Sequence, residues 1–173
     1  MRFARAVALG NYEGLLRNAV LRMKRDTEEP LSAALAELLF QRREAALAAL
    51  AADVVVPAPM YWLRRLARGT NSPEIVAERL ARRLRLPCVP RMIRRLRNTR
   101  PQGALARQER LENVRGAFRL RHGCDVSGAR VLLVDDILTT GATCGEIARQ
   151  LLTAGAVEVS VAVLARAHGP LPK

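Results

Sequence analysis

Aromatic residues make up only 3% of this 173-residue chain, and lysine is rarer still, at Lys24 and Lys173 alone. A core of this length must then be packed from Ala, Leu and Val. The flat platforms on which unpaired bases stack are scarce, with Tyr12, Tyr61 and Trp62 the main candidates. Cysteine occurs three times, at Cys88, Cys124 and Cys144, with no CxxC spacing, which excludes a zinc ribbon and a disulfide framework. Cys144 falls within an apolar helix and reads as a small core residue. Long apolar runs are missing too. The longest weakly charged stretch, Ala45 to Leu63, is broken by Asp53, Pro57 and Pro59, and the N-terminus has too little apolar length for a signal peptide. These absences predict a soluble, cytoplasmic protein with no membrane insertion.

What is present suits one domain spanning 1–173, since half of the residues are hydrophobic and the length allows a full core. The formal charge of +13 is unevenly placed. Residues 1–53 hold 8 basic and 7 acidic groups, residues 54–123 hold 17 and 4, and residues 124–173 hold 4 and 5. The middle segment therefore carries the whole excess, all of it arginine. Such a block suits a polyanion: a pyrophosphate, a nucleic acid or an acidic protein. A merely solvated basic face is the plainer alternative.

Strand and helix signals alternate along the chain. Phe3 to Leu9 alternates loosely, and Tyr12 to Lys24 puts Leu15, Leu16, Ala19, Val20 and Met23 on one helical face. A second helix is expected from Leu31 to Leu50, opened by Pro30. Asp53 to Pro57 reads as a buried strand halted by the stiff Pro57-Ala-Pro59. Ser72 is the expected N-cap of a helix running to Leu86, with Pro73 at its first position. An extended piece is expected over Val89 to Leu96, and a short helix around Arg107 to Leu111. Ala129 to Val134 is the clearest buried strand, followed by a helix from Gly141 to Ala154 capped by Gly155, then a strand over Val157 to Val163. That alternation predicts an α/β fold, with a central, mostly parallel sheet and crossover helices.

The most informative stretch is Val131-Leu-Leu-Val-Asp-Asp-Ile-Leu-Thr-Thr-Gly-Ala-Thr143. It joins an apolar strand, two adjacent carboxylates and a small-residue loop that opens a helix. Open α/β sheets bind ligands at the carboxyl ends of their strands, where Asp135 and Asp136 are delivered. Adjacent carboxylates repel and lose hydration there, so they need hydroxyls, a cation or water; a ribose diol and a hydrated Mg²⁺ meet that need. The loop Thr139 to Thr143 can wrap backbone N–H groups around a phosphate at the start of the helix. A phosphate-accepting receiver domain would require a further lysine, and after Asp136 only Lys173 exists. No GxxxxGK[ST] is present either, which excludes a Walker-type loop.

This stretch resembles the signature that binds 5-phosphoribosyl 1-pyrophosphate (PRPP) in type I phosphoribosyltransferases. Three further segments narrow the likeness: Val55-Val-Pro-Ala-Pro59 with Arg64 to Asn71, then Arg94-Arg-Leu-Arg-Asn-Thr-Arg-Pro-Gln102, then Arg110-Leu-Glu-Asn-Val-Arg-Gly-Ala-Phe118. Together they are similar to the ComF family, amidophosphoribosyltransferase-like proteins associated with DNA uptake in natural competence. The similarity runs from about Tyr12 to Arg166. It implies N-terminal helices over 11–50 and a basic hood and flexible-loop region over about 60–118, inserted between core strands. It also implies that Asp135 and Asp136 hold the ribose hydroxyls with Mg²⁺ nearby, and that Thr139, Thr140, Gly141, Ala142 and Thr143 cradle the 5-phosphate. Pro57, Ala58 and Pro59 would correspond to the pyrophosphate loop, and Arg97, Thr99, Gln102 and Arg110 to the mobile, arginine-bearing segment above it. Arg97 is the candidate for catalysis beside the two acids, because a guanidinium pairs bidentately with pyrophosphate.

The resemblance implies phosphoribosyl transfer from Mg-PRPP to an acceptor that is not identified. Its alternatives are a non-catalytic accessory to uptake of single-stranded DNA, working with a competence helicase, and a PRPP-sensing regulator. Departures from the family pattern restrict these. The four-cysteine zinc ribbon that many ComF-type chains carry ahead of the Tyr12 segment is missing from the eleven residues before it. A glutamine-hydrolysing nucleophile is not expected either, since Met1 is followed by Arg2 and no N-terminal cysteine exists. Thr139 stands where hypoxanthine-type enzymes place an acid, which argues against purine salvage.

Overall fold

The computed structural model describes residues 2–23, 28–61, 71–99 and 107–167. Four strands form the central sheet: β1 (Ala6–Asn11), β2 (Val54–Pro57), β5 (Arg130–Leu138) and β6 (Glu158–Arg166), in the order β1-β6-β5-β2 with every pair parallel. Cys88 adds a single parallel bridge to Val55, so the chain grazes the sheet once more beyond β2. Helices α1 (Gly14–Arg22), α2 (Glu29–Ala48) and α3 (Ser72–Leu84) cover one face. On the other face lie α5 (Ala142–Thr153) and a two-stranded antiparallel ribbon of β3 (Ile93–Arg95) and β4 (Phe118–Leu120). Helix α4 (Arg107–Val114) packs against α5.

The central strands are apolar on both sides because both faces are covered. Val131 and Leu133 face α5 and the ribbon, whereas Leu132 and Val134 face the α1–α3 layer, and all four are at most 1% exposed. This alternation makes β5 the shared wall of two aliphatic cores, with Phe118 among the largest fully buried side chains.

Several expectations move by a few residues, each for a local reason. Strand β1 starts at Ala6 rather than Phe3 and runs on to Asn11, because β6 pairs with it as far as Arg166. Ser72 is not the cap of α3. Asn71 holds that position, Ser72 is already helical, and its hydroxyl donates to the Met23 carbonyl at 2.9 Å, tying α3 to the end of α1. The extended piece at 89–96 splits: Val89 N–H donates to Val55, and only Ile93–Arg95 enters the ribbon. Leu15 is 88% exposed, unlike its neighbours Val20 and Met23, because it sits on the first turn of α1, overhanging an apolar groove against α2. Helix α2 is kinked at Arg43 (φ −131°), whose guanidinium donates to the Ala8 and Leu9 carbonyls and so covers the outer edge of β1. Within the 60–118 segment, α3 packs on α2 and β2 as part of the core layer.

Candidate functional site

Strand β2 ends one residue short of the acidic pair. Pro57 is in register with Val134, and the Ala58 N–H donates to the Val134 carbonyl at 2.7 Å. Beyond that point β5 keeps β6 as a partner, through Asp135↔Val163, Ile137↔Ala165 and Leu138↔Arg166. The strand therefore ends four residues later than the apolar run suggested, and Asp135 and Asp136 lie within it, along the flank that β2 has vacated. Both are half-buried. One Asp135 oxygen accepts the Asp136 N–H at 2.9 Å, and the other accepts the Cys144 thiol at 3.6 Å. Those two donors fix the orientation of the Asp135 carboxylate.

Cys144 is buried as expected, but its role as a donor was not legible in the sequence. Burial first, and then the Asp135 charge, push its thiol well above the ordinary range. A raised thiol of this kind suits a hydrogen-bond donor. The available signal was positional: Cys144 occupies the first turn of α5, and that turn packs behind β5.

The loop from Thr139 turns into α5 through Gly141, which caps the helix with φ 74° and ψ 11°. This left-handed conformation is open to glycine and strained for other residues. It allows the Gly145 N–H to donate to the Gly141 carbonyl at 2.7 Å, closing the first helical turn. The Ala142 N–H lies 3.4 Å from the Thr140 hydroxyl oxygen. No acidic residue sits in the first turn of α5. The positive end of the helix dipole is thus left uncompensated beside the loop, as an anion requires.

The tripeptide Pro57-Ala58-Pro59 is drawn to the site by its register with Val134, with Ala58 buried. It has no backbone donor to offer, since neither proline carries an N–H and that of Ala58 is spent on Val134. What it contributes is a stiff wall. The arginine segment is arranged differently again. The exposed Arg97 guanidinium donates to the Arg115 carbonyl at 2.5 Å, and buried Thr99 receives the guanidinium of Arg95, which also lies over the Phe118 ring at 5.4 Å. Arg110 is 9% exposed on α4. Gln102 and Trp62 lie outside the described residues, as do residues 64–70 of the quoted basic segment.

Residues that sequence patterning did not single out connect these parts. Glu146, on α5, accepts the Gly116 N–H at 2.9 Å and pairs with Arg149 at 2.6 Å, which holds its carboxyl below the usual range, the Arg149 hydrogen bond being the largest cause. The turn at 115–116 is thereby anchored both to α5 and, through Arg97, to the end of the ribbon. The acidic pair, the small-residue loop and the proline wall therefore meet at one sheet edge, while the arginine segment is tied to the helix that opens beside them.

A scan against protein-family models matches the phosphoribosyl transferase domain over residues 74–172. Among curated relatives, the chain is 35% identical to DNA utilization protein YhgH of Salmonella typhi over 167 residues, covering 94% of this chain and 72% of that protein. It is 34% identical to Competence protein F of Haemophilus influenzae over 116 residues, covering 66% of this chain and 51% of that protein, about half of its length. Among solved structures, adenine phosphoribosyltransferase from Leishmania donovani superposes with a TM-score of 0.50 at 16% identity, over 94% of this chain and 84% of that one, a likeness of fold alone.

Proposed function

The chain belongs to the phosphoribosyltransferase family, in its ComF branch, and from that premise we propose that it binds Mg-PRPP and transfers the phosphoribosyl group to a nucleophile. The observation that carries this reading is the Gly141-capped loop at the start of α5, directly following two carboxylates on the vacated flank of β5. Loop amides and the helix N-terminus suit the 5-phosphate. The carboxylates suit the two ribose hydroxyls, each of which donates to an oxygen.

The donor set also fits magnesium. Asp135 and Asp136 are hard oxygen ligands, and among the described residues no cluster of three His, Cys, Asp or Glu exists to make an all-protein cage. A cation that keeps its waters and takes substrate oxygens is the one such a pair accommodates. When bound, it neutralises the pyrophosphate as that group departs. The protein's own part is orientation. Asp135, pinned by the Asp136 N–H and the Cys144 thiol, holds the ribose in one pose, and Pro57-Ala58-Pro59 walls the departing group. Arg97 reaches the pyrophosphate after leaving the Arg115 carbonyl. Pyrophosphate release from PRPP should then depend on an added base or amine. Intact PRPP throughout a broad acceptor screen contradicts transfer.

A second reading, as an accessory in handling single-stranded DNA, is supported by one feature of the ribbon. Arg94 and Arg119 stand directly opposite each other across β3 and β4, both exposed, and Arg91 and Arg121 flank them. Like charges in cross-strand register destabilise a ribbon, so a polyanion resting on them removes a real cost. Replacing Arg94 and Arg119 by Gln should lower the salt slope of strand binding by about 1.4, at roughly 0.7 per lost contact. An unchanged slope removes this ribbon from the interface.

A further inference from the structure

A cleft of about 900 Å³ opens beside the Thr139–Thr143 loop, between α4 and α5. Thr140, Gly141 and Ala142 line it, together with Leu111, Arg115 and Arg149. Neither Asp135 nor Asp136 is among its described lining residues, and nor is Pro57 or Ala58. A ribose on the carboxylates, with pyrophosphate at its anomeric carbon, therefore lies outside this space. What the cleft meets is the 5-phosphate end of the ligand. Its volume is on the scale of a small-molecule site, far larger than the remaining oxygen of a phosphate monoester needs.

Its charge points the same way. Arg2 and Arg115 line the cleft, and among the described residues their guanidinium groups have no hydrogen-bond or ion-pair partner, whereas Arg149 is paired with Glu146. Glu146 is already engaged by Arg149 and the Gly116 N–H, and Glu112 is the other acid on the wall. Two unpaired, fork-shaped cations beside a phosphate loop suit a second phosphate and its neighbours. The floor is open as well. Gly145 lines the cleft on the first turn of α5, and a Cβ placed there would meet no heavy atom within 4 Å.

We propose that this cleft is a subsite for a substituent carried on the 5-phosphate. The ligand class is a ribose 5-phosphate whose phosphate is linked onward, through an anhydride to a nucleotide or through an ester to a nucleic-acid strand. A linked phosphate keeps its two non-bridging oxygens for the loop amides, while the next groups run along Arg115 and Arg2. The inference rests on the placement of the 5-phosphate in the Thr139–Thr143 loop proposed above.

The test is calorimetric titration of wild type, Gly145→Phe and Arg115→Gln with four ligands: PRPP, ribose 5-phosphate, ADP-ribose and a ribodinucleoside monophosphate ending in a 2′,3′-diol. Gly145→Phe fills the cleft from the first turn of α5; Arg115→Gln serves should that variant fail to fold or shift the loop. The expected result is that at least one extended ligand binds tenfold or more tighter than ribose 5-phosphate. That gain disappears in Gly145→Phe and falls several-fold in Arg115→Gln, whose PRPP affinity is unchanged. ADP-ribose as the tighter ligand identifies the anhydride source, and the dinucleotide identifies the strand. If PRPP binds but neither extended ligand gains, or the gain survives both variants, the subsite is overturned and the PRPP reading stands. If neither PRPP nor ribose 5-phosphate binds, the PRPP reading fails and the subsite fails with it.

Discussion

Two glycines four residues apart should respond to alanine with opposite signs. Gly141 holds φ 74° at the cap of α5, where a Cβ costs about 1–2 kcal/mol in the left-handed region. The loop cannot relax to negative φ without losing the 2.7 Å bond between the Gly145 N–H and the Gly141 carbonyl. For a domain of this size, 1 kcal/mol corresponds to about 2–4 °C in Tm, so Gly141→Ala should lower the midpoint by about 2–8 °C. Gly145 is helical, and its Cβ would enter open space. There alanine gains about 0.5–1 kcal/mol from reduced backbone entropy in the unfolded chain, and the midpoint should rise by about 1–4 °C. The same pair separates stability from binding. Displacing the loop amides in Gly141→Ala should weaken PRPP about tenfold, equivalent to about 1.4 kcal/mol, whereas Gly145→Ala should leave it unchanged. Scanning calorimetry and titration of both variants test this. Shifts of the same sign, or full PRPP affinity in Gly141→Ala, refute the assignment of the loop geometry to phosphate binding.

Three further outcomes follow from the geometry. Ser72→Ala removes the buried bond to the Met23 carbonyl and should cost about 1 kcal/mol in urea unfolding, with the slope unchanged; a loss below the error of the measurement contradicts the tie between α1 and α3. Because the Glu146 carboxyl is depressed in the folded state, its stabilising contribution is present above the usual carboxylate range and is lost as pH falls through that range and below. Glu146→Gln should therefore flatten the acid limb of the stability profile, and an identical limb in both proteins refutes the anchor. Burial pushes the Cys88 thiol up to about 11, and the Cys144 thiol is pushed up as well, so neither should react readily with DTNB at pH 8 until the chain is unfolded. Rapid reaction of Cys144 in the native protein would remove it as the donor to Asp135.

The apolar runs at 54–57 and 131–134 and the repeated strand–helix alternation made the parallel sheet legible, because a strand buried on both faces has little freedom in composition. The acidic pair and small-residue loop stood out because few arrangements tolerate adjacent carboxylates directly after an apolar run. What escaped was set by tertiary context. The continuation of β5 past Asp136 depends on the length of β6, which no local pattern around residue 136 encodes. Ser72 has the chemistry of a cap, yet its hydroxyl was taken by the end of α1, 49 residues away in sequence. Cys144 and Glu146 read as ordinary helix residues. Their partners, Asp135 and the Gly116 amide, are brought to them only by the packing of α5.

The central claim is that the carboxylates and the loop that follows them hold Mg-PRPP. Titration of PRPP with and without Mg²⁺, on wild type and on Asp135→Asn/Asp136→Asn, tests it most directly. The account predicts saturable, Mg²⁺-dependent binding in the wild type and a loss of at least a hundredfold in the double variant, whose Tm stays within a few degrees. Equal affinity in both proteins, or binding indifferent to Mg²⁺, contradicts it.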